Sequence, residues 1–187
     1  MVKEPRPGRV KTRLGHDIGM VTAAWWFRHQ SAAVLRRLRD PRWRIVLAVS
    51  PDHQGLISRV WPAMPRVPQG SGHLGRRMAR VIARFPVSPV CVIGADIPGI
   101  TRRHIARAFA ALGHRDAVFG PADDGGYWLI GLRLGALARP RILDDVRWSG
   151  PHALEDSMSA LRNWRIGLVD QLADVDDGED LRRLQRR

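Results

Sequence analysis

Short apolar runs that alternate with amphipathic stretches constrain this chain more than any other feature. Residues 44–50, 90–94, 117–119, 127–130 and 166–169 are brief apolar segments bounded by turn residues, and they read as buried strands. Between them, Ile18, Val21, Trp25, Ala32 and Leu35 recur near helical spacing over residues 18–39. Leu74, Met78, Val81, Ile82 and Phe85 do the same over residues 73–85. Thr101 is placed to cap a third helix that ends at Leu112, with Gly113 just beyond it, and further helices are predicted over 151–161 and from Gly178 onward. Pro62, Pro65 and Pro68 mark a loop. The alternation predicts an α/β fold, a three-layer sandwich around a mostly parallel sheet, with residues 1–187 as one domain.

Charge narrows the partners. Lys+Arg number 31 against 18 Asp+Glu, a net charge of +13, which favours anionic ligands. The arginines are dispersed, as in Arg36-Arg37, Arg76-Arg77, Arg102-Arg103 and Arg182-Arg183, and no nucleic-acid-binding module is recognisable, so nucleic acid is disfavoured as the partner. Cys91, the single cysteine, lies in an apolar run and reads as a buried structural thiol; no internal disulfide is available to it. No stretch approaches about 18 apolar residues, and the N-terminus lacks the apolar core of a secretory signal. The expectation is a cytoplasmic protein with no membrane partner.

Five segments carry candidate chemistry. In the first, Lys3, Arg6, Arg9, Lys11 and Arg13 surround Gly8, and both of the chain's lysines fall here. Cations at alternating positions of an extended loop can gather on one side around a phosphoryl group, although G-x-x-x-x-G-K-[ST] is absent. In the second, Gly70-Ser-Gly72-His73-Leu74-Gly75 spells G-x-G-x-x-G. The prolines before it argue against the strand that a dinucleotide fingerprint requires, leaving a glycine-rich loop suited to a nucleotide base or ribose. In the third, Asp96 follows the apolar run at 90–93, where a carboxylate can hold a hard cation beside substrate phosphates; a turn or cap is the plainer alternative. In the fourth, Asp123-Asp124-Gly125-Gly126-Tyr127 is longer than a hairpin needs and can read an acceptor or sugar hydroxyl. In the fifth, Asp170, Asp174, Asp176, Asp177, Glu179 and Asp180 crowd the start of the last helix; most are expected to serve that helix, and one can supply a second metal ligand.

Lys3–Leu14, Gly94-Ala-Asp96-Ile-Pro98, the stretch from Gly120 to Gly131 and the stretch from Asp174 to Leu181, taken in that order, resemble an uncharacterised bacterial family of the nucleotide-diphospho-sugar transferase superfamily. A more distant resemblance links Lys11–Leu14 to 2-phospho-lactate guanylyltransferase. The resemblance implies a glycosyltransferase-A type fold, with Arg9, Lys11 and Arg13 on the nucleotide phosphates. It also implies Asp96 and Asp176 on Mg²⁺ or Mn²⁺, and Gly125 and Gly126 on the acceptor side. His73 departs from the acidic residue expected in the glycine loop. Only Met1 and Val2 precede Lys3, so the strand that should aim the phosphate loop is largely missing, and the expectation is a start assigned downstream of that strand.

The resulting expectation is a metal-dependent transferase that uses a nucleoside triphosphate or nucleotide sugar. Nucleotidyl transfer to a small anionic acceptor is favoured, with glycosyl transfer as the alternative and a non-catalytic nucleic-acid binder as the competing class. Lys11 and Arg13 are the expected catalytic cations. Lys3, Gly8, Arg9, Gly72, Leu74 and Gly75 are expected at the nucleotide, Asp123 to Tyr127 at the acceptor, and Asp96 and Asp176 at the metal.

Overall fold

Seven strands form two sheets in the computed structural model, which describes every residue except Pro140 and Arg187. In the first, β1 (Val2–Lys3), β2 (Leu47–Ser50) and β3 (Arg66–Pro68) lie in that order and all pair in parallel. Leu47, Ala48 and Val49 are all buried, as the unbroken apolar run requires of a strand covered on both faces. The proline-marked loop needs correction, because a strand does precede the glycine loop. It survives because β3 is an edge strand, with Pro68 at its end and Pro62 and Pro65 before it.

The second sheet has the order β4 (Val90–Ile93), β6 (Tyr127–Leu132), β5 (Ala117–Pro121), β7 (Ile166–Leu168). Only the β5–β7 pairing is parallel; β4–β6 and β5–β6 are antiparallel. The expected parallel character therefore holds for the first sheet, and the second is mixed. The cause is local: the connection between β5 and β6 is too short for a crossover, so β6 must return as a hairpin.

Helix α2 (Met20–Arg37) is the helix expected over residues 18–39; α1 (Thr12–Ile18), which the periodicity did not predict, precedes it and is separated from it at Gly19, with φ 90°. Helix α3 (Asp52–Ile57) follows β2, α4 (Leu74–Ala83) follows β3, and α5 (Arg102–Leu112) follows β4. Thr101 caps α5 reciprocally with His104, while Gly113 stays right-handed rather than closing a left-handed turn. Helices α6 (Ala153–Ala160) and α7 (Gly178–Gln185) complete the chain. At α7, Asp177 accepts from the backbone N–H groups of Glu179 and Asp180, and Asp180 returns a bond to Asp177 N, so two of the clustered acids are caps.

The second sheet is packed on both faces. Phe119, Ile130 and Leu132 meet Met78 and Ile82 of α4 on one side. Val118, Trp128 and Leu129 meet Ile105, Ala108 and Leu112 of α5 and Val34 of α2 on the other. Helix α2 also covers the first sheet through Ala24, Phe27 and Leu35. These layers leave the ends of β1 and β4 together at one rim. Many arginines are neutralised locally: Arg133 and Arg165 share Asp116, Arg76 holds Asp144 and Arg147 holds Asp156. No helix of the described residues is long and apolar enough to cross a membrane.

Candidate functional site

The basic leader leaves β1 as a loop tied at its start by Glu4 N donating to Ser50 O (2.8 Å). Gly8 turns it with φ +70°, and Val10 is buried in the core beside Phe27 and Ala95. Lys11 then caps α1 in the left-handed region (φ 44°, ψ 51°), a conformation that costs a non-glycine residue roughly 1–2 kcal/mol. Its side chain compensates. The Nζ lies 2.6 Å from Asp96 Oδ2 and 2.7 Å from Asp176 Oδ1, joining three segments far apart in sequence. The Lys11 side chain is only 8% exposed, and burial alone would lower its pKa, but the Asp96 and Asp176 carboxylates outweigh that and hold it above the ordinary lysine value. Arg13, on the exposed first turn of α1, reaches Asp176 Oδ2 at 3.1 Å and Asp177 Oδ2 at 3.6 Å.

Acid exceeds base at this centre. Asp124, Asp174 and Asp176 can each place a carboxylate oxygen within 4.8 Å of the others. Burial pushes Asp174 up to about 6, with the charge on Asp176 adding to the effect and Lys11 opposing it. A cavity of about 270 Å³ opens beside them, bordered by Asp96, Asp124, Gly126 and Asp174 and walled by Leu74, Tyr127 and Trp148. Trp148 Nε1 and His73 Nδ1 are buried polar atoms without a hydrogen-bond partner among the described residues.

The structure thus brings together Lys11, Arg13, Asp96 and Asp176, and places Leu74, Asp124, Gly126 and Tyr127 around the neighbouring cavity. Other sequence candidates have plainer surroundings. Lys3, Gly8 and Arg9 are exposed along the leader, and Lys3 and Arg9 form no ion pair among the described residues. Gly72 (φ +104°) accepts from Arg77 Nε at 2.7 Å, and Gly75 lies so close under Leu143 and Trp148 that a Cβ would sit 2.6 Å from Leu143 O. Asp123 accepts from Gln171 Nε2 at 2.7 Å. Gly125 (φ +81°) lets its loop close onto the Pro151 backbone. Tyr127 turns its phenol inward, 3.3 Å from Ser157 Oγ, where burial raises its pKa far above the usual tyrosine value; its ring, not its hydroxyl, borders the cavity.

Asp174 was grouped with the acids before the last helix but not singled out as a ligand, where Asp176 was; in Asp174-Val175-Asp176 only Val175 is buried, and both aspartates stay partly exposed.

Residues 33–150 match the sequence model of the family described as "Uncharacterized protein conserved in bacteria (DUF2064)". The chain belongs to that family. The matched span includes Asp96 and Asp124 but neither Lys11 nor Asp176. A crystal structure described as a "putative nucleotide-diphospho-sugar transferase" from Desulfovibrio desulfuricans G20 superimposes with a TM-score of 0.87 at 29% identity, covering 99% of this chain and 84% of that one. The α/β architecture is therefore of the nucleotide-diphospho-sugar transferase type, as the resemblance implied. No curated protein matches the chain at a significant level.

Proposed function

We propose that this family member is a metal-dependent transferase that takes its donor from a nucleotide-diphospho-sugar. The observation that carries the reading is the convergence of Asp96, Asp124, Asp174 and Asp176 around Lys11 at the rim of a cavity with an aromatic wall. Likeness to a solved protein described as a transferase of that kind supports it.

The donor set fits a hard divalent cation. Asp124, Asp174 and Asp176 offer only carboxylate oxygens, the ligands that Mg²⁺ and Mn²⁺ prefer, and the strained ionisation of Asp174 is what a bound cation would relieve. Such an ion supplies Lewis-acid stabilisation of a departing diphosphate. Lys11 fixes the carboxylates of Asp96 and Asp176 from between them, and Arg13 holds the second oxygen of Asp176 from the solvent side. Exposed Arg9 and Lys3 remain available to phosphate oxygens, and Leu74, Tyr127 and Trp148 form an apolar wall against which a base or sugar ring can lie.

The internal compensation of Lys11 shifts the balance away from the nucleotidyl transfer that the leader's cation count favoured. Its charge already serves two carboxylates, so fewer unpaired cations face a triphosphate. Nucleotidyl transfer remains the second reading, favoured by exposed Lys3 and Arg9 on either side of Gly8. Incubation with nucleoside triphosphates and nucleotide sugars in the presence of Mn²⁺ separates the two: nucleoside diphosphate release is expected, pyrophosphate release supports the second reading, and binding of neither donor class overturns both.

A further inference from the structure

Asp17 lies outside the carboxylate cluster and outside the cavity beside it, yet it fixes α1 to the start of α7. Its Oδ2 accepts from the Gly178 backbone N–H at 2.7 Å, across 161 positions of sequence. The approach is close enough to need glycine: a Cβ on Gly178 would sit 3.0 Å from Asp17 Cβ and 3.1 Å from its Oδ2. Contacts between the two elements run in register. Lys11 meets Asp176, Arg13 reaches Asp176 and Asp177, and Asp17 takes Gly178. Arg13 and Asp17 are four apart and share one face of α1, while Leu14 and Ile18, also four apart, carry the apolar contact to Val175, Leu181 and Leu184. Lys11 and Arg13 grip side-chain oxygens, which can rotate, and the Arg13 side chain is 68% exposed. Of the three, only Asp17 grips main chain.

We propose that Asp17 is a positioning residue: by taking the Gly178 N–H it seats the start of α7 on α1 and so holds Asp174 and Asp176 within reach of one cation together with Asp124. The backbone on either side shows why one bond matters. Leu172 N donates to Pro121 O at 3.1 Å, which ties the segment to the end of β5, and the next tie from its backbone to another part of the fold is Gly178 N to Asp17. Both Asp174 and Asp176 lie in the span between those anchors. The first turn of α7 transmits the second anchor. Asp177 accepts from Glu179 N and Asp180 N, and Asp180 Oδ2 accepts from Asp176 N at 3.0 Å, so Asp176 moves with the turn that Asp17 holds. Asp124 arrives separately, on the loop between β5 and β6, so a shift of α7 away from α1 opens the carboxylate cluster on one side. A carboxylate also suits the positive end of the α7 dipole, but an amide oxygen can accept the same N–H. The role rests on the cation site proposed above for Asp124, Asp174 and Asp176.

The test titrates Mn²⁺ calorimetrically into the parent protein, Asp17→Ala and Asp17→Asn, with amide exchange measured on the metal-free proteins. Asp17→Ala is expected to weaken Mn²⁺ binding at least about tenfold and to speed exchange at Gly178. Asp17→Asn is expected to stay within about threefold of the parent, the share of the lost charge. Both variants lose the same charge, so the gap between them reads the hydrogen bond alone. Where Asp17→Ala does not fold, Gly178→Ala takes its place: alanine favours the helix, but its methyl presses on Asp17, so Mn²⁺ binding is expected to weaken by about threefold or more while α7 persists. Unchanged Mn²⁺ affinity in the alanine variant overturns the proposal, and so does an equal loss in Asp17→Ala and Asp17→Asn. A parent protein that binds no Mn²⁺ overturns the cation site itself and this role with it, whereas parent binding that the alanine variant leaves intact overturns the role alone.

Discussion

Two cavities share Met1 and the end of β4, and they differ in every other respect. One lies where β4 has ended and loops take over, so it collects carboxylates from Gly94–Asp96, from the β5–β6 loop and from the approach to α7. The other lies along the bodies of β2 and β4, where the sequence is apolar and the backbone carries the unmet polarity. The comparison teaches that ionisable side chains in this fold gather beyond the carboxyl ends of strands, while the strand bodies carry apolar ones.

The largest expected effect is at the polar cavity. Lys11→Met removes the one cation held by both Asp96 and Asp176, and breaking such a nearly buried pair costs about 3 kcal/mol, with transferase activity lost. Chemical denaturation and donor turnover check the two halves. If Lys11→Met is as stable as the parent, the clamp does not order this site.

Next is a change of opposite sign. Asp174→Asn removes a carboxylate whose ionisation is opposed by burial and by Asp176, so the metal-free protein is expected to gain about 1 kcal/mol at neutral pH after solvent screening. Divalent-cation affinity should fall at least about tenfold in the same variant, read by calorimetry with Mn²⁺.

A smaller pair of effects sets the cavities against each other through pH. Asp174 titrates near 6 when folded, above its ordinary value of 3.8, so its contribution is present at low pH and is lost as pH rises from about 4 to 6. The Met1 ammonium titrates near 6 when folded, below its ordinary 8.0, so the folded state gains stability as pH rises from about 6 to 8. Stability should therefore dip near pH 6, with Asp174→Asn flattening the acid side and acetylation of the Met1 amine flattening the alkaline side. Denaturant midpoints measured across pH 4–8 test both arms. The smallest expected effect is on Cys91, whose thiol burial raises to about 12: alkylation at pH 8 is slow in the folded protein and speeds up on denaturation.

The convergence of Lys11 with Asp96 was legible because a basic loop and a carboxylate after an apolar strand must both lie at one end of an α/β sheet. Cys91, expected to be fully buried by its apolar neighbours, keeps intermediate exposure on the unpaired side of β4, whereas the boundaries of α4, α5 and α7 were legible from periodicity and caps. Residues 66–68 were not, because proline argues against strands in general and only the position at a sheet edge removes the objection. The mixed second sheet depended on a connection length whose meaning appears once β5 and β6 are adjacent. Helix α1 was not legible because the basic leader carries no apolar periodicity of its own, and the inward turn of Tyr127 depended on the location of Ser157.

The most direct measurement is calorimetric titration of nucleoside diphosphates into the protein with and without Mn²⁺, repeated with Asp174→Asn/Asp176→Asn. Tight binding that requires Mn²⁺ and disappears in the double variant is the predicted result; binding of equal strength without metal, or undiminished in the double variant, contradicts the assignment of these carboxylates to a diphosphate-bound cation.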